Sequence, residues 1–186
     1  MAQLGFYYDM TVCTGCKVCQ IACKDKNDLE TGALFRKVYS FEGGEFPKPW
    51  AFNLSIACNH CQHPKCTENC PTGALYKRDK DGIVMHDRDK CIGCRLCTWS
   101  CPYGAPQYIE KLGKAGKCTL CADLLDKGEE PACVAACQMR ALQFGDIDEL
   151  RKKYGNTADI KSLPDSKITN PSLTITPKKE AREPLI

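Results

Sequence analysis

Cys91-Ile-Gly-Cys94-Arg-Leu-Cys97-Thr-Trp-Ser-Cys101-Pro102 places four cysteines at spacings of two, two and three residues and closes on proline. That run is the ligand pattern of cubane iron–sulfur clusters. Two residues between cysteines let a tight loop wrap one corner of a cubane and turn backbone N–H groups toward its sulfurs. Three residues between the last pair cover about one helical turn. Where two such clusters share a domain, the fourth cysteine serves the neighbouring cluster. The proline has no N–H to donate and stops the turn. Gly93, and Gly15 in the matching loop upstream, suit backbone that approaches an inorganic core closely.

The frame recurs on both sides of that stretch. Cys13, Cys16, Cys19 and Cys23 repeat the spacing, although Lys24 stands where the proline would be. Cys58, Cys61, Cys66 and Cys70, followed by Pro71, widen the middle gap to four residues. Cys118, Cys121, Cys133 and Cys137, followed by Gln138, widen it to eleven. The 16 cysteines of this 186-residue chain therefore form four sets with none left over. Structural zinc is the main alternative, but zinc sites usually pair two distant Cys-x2-Cys hooks. Sets one and three instead place three cysteines within seven residues. Disulfides come third: they need an oxidising compartment, and Met1-Ala-Gln-Leu-Gly5 has neither the basic nor the apolar segment of a secretory leader.

A hydrophobic share of 43% and a charged share of 26% describe a globular chain and not a disordered one. No apolar run approaches the roughly 18 residues that span a bilayer. The formal charge is +3 with neutral cysteines, and four thiolate-bound cubanes of about −2 each bring it to about −5. The excess of Lys and Arg then answers cluster charge, and nucleic acid is not an expected partner.

An internal repeat organises the chain. Cys13-Thr-Gly-Cys16-Lys-Val-Cys19 aligns with Cys91-Ile-Gly-Cys94-Arg-Leu-Cys97, and Pro64-Lys-Cys66 with Pro131-Ala-Cys133, each of the latter leading to Ala-Leu at the same offset. Between sets two and three, Ala74-Leu-Tyr76 and Gly82-Ile-Val-Met85 flank a charged turn and predict a hairpin. The expectation is an α+β fold of two ferredoxin-like two-cluster modules, one inserted in the other. Residues 51–110 form the inserted module from sets two and three. Residues 1–50 and 111–150 form the outer one from sets one and four. The alternative is two modules in series, sets one with two and three with four; the hairpin argues against it. Residues 24–50, rich in aromatics with Gly43-Gly44, Pro47 and Pro49, predict short strands and an exposed loop. A short helix is expected from Asp146 to near Gly155. Residues 151–186 form a C-terminal extension, and its strand-like Leu173-Thr-Ile-Thr176 lies in a tail expected to be disordered or laid along a partner.

The four motifs, with Cys58-Asn-His-Cys61, Cys91-Ile-Gly-Cys94-Arg95 and Cys101-Pro-Tyr-Gly-Ala-Pro-Gln-Tyr108, closely resemble the electron-transfer B subunits of the dimethyl sulfoxide reductase family. That family extends to subunits of polysulfide, thiosulfate and formate enzymes, and the resemblance runs from about Gly5 to Pro177. It implies four [4Fe-4S] clusters and a large catalytic partner with a molybdopterin or tungstopterin cofactor. It further implies the ligand sets. Cluster 1 takes Cys13, Cys16, Cys19 and Cys137; cluster 2 takes Cys118, Cys121, Cys133 and Cys23. Cluster 3 takes Cys58, Cys61, Cys66 and Cys101; cluster 4 takes Cys91, Cys94, Cys97 and Cys70. In the family the first cluster faces the catalytic subunit. The last faces a membrane quinol-oxidising subunit or a soluble donor. Nitrate reductase relatives carry tryptophan at the position of Cys94 and a three-iron cluster there. Cys94 thus favours four cubanes.

Other chemistry is thin. His60 and His63 lie inside set two, where they either tune a cluster or are loop histidines in a crowded motif. Trp99 and Tyr103 are expected to pack rather than relay electrons, and Lys17, Lys65 and Arg95 either offset cluster charge or are simply exposed. No hydrolase triad, phosphate loop or dinucleotide-binding glycine pattern is present. The functional expectation is a non-catalytic electron-transfer subunit with no transmembrane segment of its own, cytoplasmic or exported with a partner that carries a twin-arginine signal. A stand-alone polyferredoxin, a hydrogenase-type electron-transfer subunit and a zinc-stapled scaffold are the alternatives.

Overall fold

The computed structural model describes residues 2–182. Strand β1 (Leu4–Asp9) is the centre of the main sheet, and its four middle residues are all buried because both faces are covered. The short helix α1 (Val18–Lys26) follows the first cysteine loop and carries buried Cys19 and Cys23. The aromatic segment supplies β2 (Lys37–Gly43), and its partner β3 (Trp50–Ile56) only begins there; the two pair antiparallel with Phe41 opposite Phe52. Phe41 and Trp50 both stack on Phe52, at 5.0 and 5.7 Å between ring centres. The loop between the strands leaves Phe46 almost fully exposed.

Helix α2 (Lys65–Glu68) carries Cys66 and leads into the predicted hairpin, formed by β4 (Leu75–Lys77) and β5 (Val84–His86). Gly82 holds its turn at φ +67°, a region open to glycine at little cost. Helix α3 (Leu96–Ser100) then carries Cys97, and a second hairpin joins β6 (Gln107–Ile109) to β7 (Lys114–Gly116). Two more single-turn helices, α4 (Ala122–Leu125) and α5 (Ala132–Ala135), bracket the long gap of set four. Strand β8 (Leu142–Asp146) returns to pair antiparallel with β1, Phe144 opposite Phe6. Helix α6 (Ile147–Tyr154) starts where the sequence places it, because the Asp146 carboxylate accepts from the N–H groups of Asp148 and Glu149.

The C-terminal extension differs from its expectation. Strand β9 (Leu173–Thr176) pairs in parallel with β1, giving the order β8-β1-β9. Ile175 and Ala181 are fully buried on the chain's own body. The apolar positions of this stretch have a free edge of β1 to cover, so within residues 151–182 the extension is part of the core.

Helices pair crosswise in the sequence. Helix α1 packs on α5, and α2 packs on α3. The large core gathers Phe6, Tyr8, Met10 and Ile175 with cysteines of sets one, two and four. A smaller one gathers Cys66, Leu75, Val84, Cys97 and Ala115. The N-terminal segment is stitched to the middle of the chain: Gln3 Nε2 donates to the carbonyls of His60 and Gly82, each at 3.2 Å.

Candidate metal centres

The four Cys-x-x-Cys loops share one backbone device. The residue before the second cysteine has positive φ in each: Gly15 at 74°, His60 at 44°, Gly93 at 72° and Leu120 at 55°. A left-handed residue there reverses the chain and turns successive N–H groups inward. In sets one and three the residue after the second cysteine is also left-handed, Lys17 at 62° and Arg95 at 63°, which launches α1 and α3 toward the third cysteine. Glycine is demanded at two of these turns for a further reason. A Cβ at Gly93 would collide with the Gly113 carbonyl oxygen, and one at Gly15 with the Asn53 side chain, whose Nδ2 donates to the Cys13 carbonyl at 3.2 Å.

These turns and helices gather the cysteines in groups of four. One cavity is lined by Cys13, Cys16, Cys19 and Cys137, a second by Cys58, Cys61, Cys66 and Cys101, and a third by Cys70, Cys91, Cys94 and Cys97. The three cavities are matched in size, which suits the same kind of occupant. Cys23, Cys118, Cys121 and Cys133 are the remaining four and are all buried. Burial pushes the Cys23 thiol up to about 12, and Cys133 and Cys121 are among the charges that add to it. Among the described residues no disulfide forms, and no three His, Cys, Asp or Glu side chains converge on a point that suits one metal ion. Thiols gathered in fours without converging on a single-ion point fit a multi-iron core better than a tetrahedral zinc ion.

The electrostatics fit the same occupant. Burial, followed by neighbouring thiols, raises Cys61 and Cys66 to about 12 and Cys97 to about 11. At Cys70 burial works the same way, but N–H groups of Leu75, Thr72 and Ala74 and the Thr72 hydroxyl outweigh it and lower the thiol. The Leu120 N–H donates to Cys118 Sγ at 3.3 Å. These donors suit thiolate ligands.

The sequence treats His60 and His63 alike, and the structure separates them. His63 is exposed. His60 is fully buried, and its Nδ1 accepts from the Val84 N–H at 3.1 Å. The proton therefore sits on Nε2, which lies 3.8 Å from Cys118 Sγ and links set two to set four. Lys17 and Arg95 are exposed, Arg95 lying over the Tyr108 ring at 3.6 Å, and Lys65 pairs with Glu68 at 2.7 Å. Trp99 corrects its expectation: it is 75% exposed and does not pack on the core. The cations buried among the thiols are Arg36 and Lys117, which carry no motif of their own. Lys117 Nζ donates to the carbonyls of Val84 and Cys118.

Comparisons with known proteins agree with this geometry. A family profile described as "4Fe-4S dicluster domain" matches residues 50–147. The B chain of anaerobic dimethyl sulfoxide reductase from Escherichia coli (strain K12) is 47% identical over 188 residues, covering 97% of this protein and 91% of that one. The B subunit of sulfite dehydrogenase from Allochromatium vinosum is 40% identical over 80% of this protein and 71% of its own length. The formate dehydrogenase iron-sulfur subunit of Wolinella succinogenes is 36% identical over 80% of this protein and 84% of its own. With the cysteine frame, the grouped thiols and this breadth of similarity, the protein belongs to the iron–sulfur B-subunit family represented by the B chain of anaerobic dimethyl sulfoxide reductase.

Proposed function

We propose that this protein is a non-catalytic electron-relay subunit that holds four [4Fe-4S] clusters. It passes single electrons to or from a large catalytic subunit with a molybdenum or tungsten pterin. The observation that carries the reading is the crosswise gathering of thiols: Cys137 lies with set one, Cys101 with set two and Cys70 with set three. The ligand sets are then Cys13, Cys16, Cys19 and Cys137; Cys118, Cys121, Cys133 and Cys23; Cys58, Cys61, Cys66 and Cys101; and Cys91, Cys94, Cys97 and Cys70. The packing of α1 on α5 and of α2 on α3 supports a module of sets two and three inserted in one of sets one and four. The inserted module is assigned to residues 51–110 and the outer one to 1–50 with 111–150, while the β2–β3 and β6–β7 hairpins run across those bounds.

The clusters supply one-electron chemistry. The chain supplies their spacing, their N–H donors and the exclusion of water from the interior. Cys16 and Cys94 are exposed, and so are the apolar side chains of Val12 and Ile21 in the sequence around set one and of Ile92, Leu96 and Trp99 around set three. In this reading an electron passes sets three, two, four and one in order, with His60 between sets two and four. The set-one end suits the catalytic subunit, and the set-three end a quinol-oxidising subunit or a soluble donor. Among the described residues no helix is long and apolar enough to cross a membrane. In this reading the compartment is the partner's: cytoplasmic, or exported with it.

The test is iron analysis and EPR on the anaerobically purified protein. About sixteen irons per chain are expected, four per cubane. Cys23→Ser and Cys118→Ser should abolish the same cluster signal while the set-one signal stays. Loss of the set-two signal in Cys23→Ser would instead mean modules in series. Co-purification with a pterin-containing subunit distinguishes the relay from a stand-alone polyferredoxin.

A further inference from the structure

Arg36 is only 2% exposed and precedes β2 by one residue. A guanidinium carries five N–H donors and keeps its charge at any ordinary pH. Here Nη1 donates to the Ser55 carbonyl at 3.3 Å and to Ser55 Oγ at 3.1 Å, while buried Nε and Nη2 have no partner among the described residues. Ser55 Oγ in turn lies 3.4 Å from Cys19 Sγ. The Phe6 ring covers one side of the guanidinium, 4.7 Å away. Burial opposes the charge, and the strongest of the groups that offset burial are the cysteine sulfurs of Cys133, Cys118, Cys19 and Cys23. A buried cation with orphaned donors is costly unless something negative stands beside it. What stands beside this one is cysteine, from sets one and four.

We propose that the Arg36 guanidinium sets the reduction potentials of the two centres built from sets one and four. It would hold both above the values they would have without it. The inference rests on the relay reading, in which Cys19 belongs to one of those centres and Cys23, Cys118 and Cys133 to the other. Reduction adds one negative charge to a cluster, so a fixed neighbouring cation favours the reduced form. N–H donors to the sulfurs act in the same direction. Nε and Nη2 are the donors left for the set-four thiolates, and Nη1 acts on Cys19 through the Ser55 hydroxyl. Arg36 is thus a shared positive charge between two successive stations, raising them together and leaving the other two alone.

The test is an EPR-monitored redox titration of the cluster-loaded full-length protein, with signals assigned by Cys16→Ser and Cys118→Ser. Arg36→Met and Arg36→Gln should retain wild-type iron. In both, the set-one and set-four signals should lose at least tenfold in reduction equilibrium constant, about 59 mV downward for one electron. The set-two and set-three signals should stay in place. Arg36→Lys keeps the charge but not the fork of donors, and should shift the same two signals by less. If the neutral variants fail to load, Arg36→Lys decides: a selective downward shift supports the proposal, and no shift overturns it. Equal movement of all four signals, unmoved potentials in a fully loaded neutral variant, or loss of iron in all three variants also overturns it. If wild-type iron falls well short of four clusters, or Cys23→Ser and Cys118→Ser abolish different signals, the relay reading itself has failed and takes this proposal with it.

Discussion

The left-handed turn position decides most at the scale of single residues. Gly15, His60, Gly93 and Leu120 occupy the same place in four loops, yet only two of them are glycine. A side chain at positive φ costs about 1–2 kcal/mol, which His60 and Leu120 offset by burial. At Gly93 the obstacle is also steric and made of backbone, the Gly113 carbonyl, which cannot swing aside. Gly93→Ala is therefore expected to lose the set-three centre alone, about four irons per chain. Gly15→Ala should be milder, because Asn53 meets the new methyl with a side chain that can move. Iron and labile-sulfide analysis of the two variants checks the ranking. The glycines were legible from the motif. Their actual neighbours were not, since Gly113 and Asn53 arrive from distant sequence.

Elements show the same division. Helix α6 could be read from its ends: a capping Asp146, acids in the first turn, Arg151 to Lys153 in the last turn and Gly155 beyond. Each signal is local, so the boundaries follow from the sequence. Asp146→Ala removes the carboxylate that accepts from two N–H groups, at a cost of about 1 kcal/mol. Differential scanning calorimetry of the loaded protein should show a transition lower by roughly 2–4 °C, with Asp146→Asn near wild type. The β4–β5 hairpin was legible for the same reason, two apolar runs around a turn. Strand β9 was not. Its four residues carry no signal that they join an edge of β1 more than 160 positions upstream, because parallel pairing across the whole chain depends on the rest of the fold already being built.

For the whole molecule, buried cysteines are built into both hydrophobic cores. Cys19, Cys23, Cys58, Cys118 and Cys133 sit in the large core, and Cys66 and Cys97 in the small one. Removing iron leaves these positions as thiols around voids, beside the buried charge of Arg36. The metal-free protein is expected to lose its cooperative thermal transition, since metal binding is folding free energy in small sites of this kind. Calorimetry before and after chelation under oxygen-free conditions checks it, and a retained sharp transition would refute it. Loading should also depend on pH. Cys23, Cys61 and Cys66 are raised by burial to about 12, above the ordinary 9.0 of an unfolded thiol. Iron must displace their protons, so reconstitution should strengthen with pH below that range. Any stability these thiols lend a metal-free fold is full below 9.0 and falls as pH rises toward their raised values.

From its spacing alone the sequence determined that the cysteines fall in four sets, that their loops are tight, and that a helical turn carries the last cysteine of each set away from the first three. Those features span a few residues, and backbone geometry over a few residues is nearly independent of the rest of the chain. Tertiary structure decided which histidine is buried, that Trp99 faces outward, that the C-terminal strand closes the main sheet, and that Arg36 and Lys117 are the cations held among the thiols. Arg36 is charged and lies in an ordinary stretch, so composition argues for the surface. Its burial arises only when residues near 6, 19, 55, 118 and 133 close around it. That closure depends on long-range packing, which no local pattern encodes.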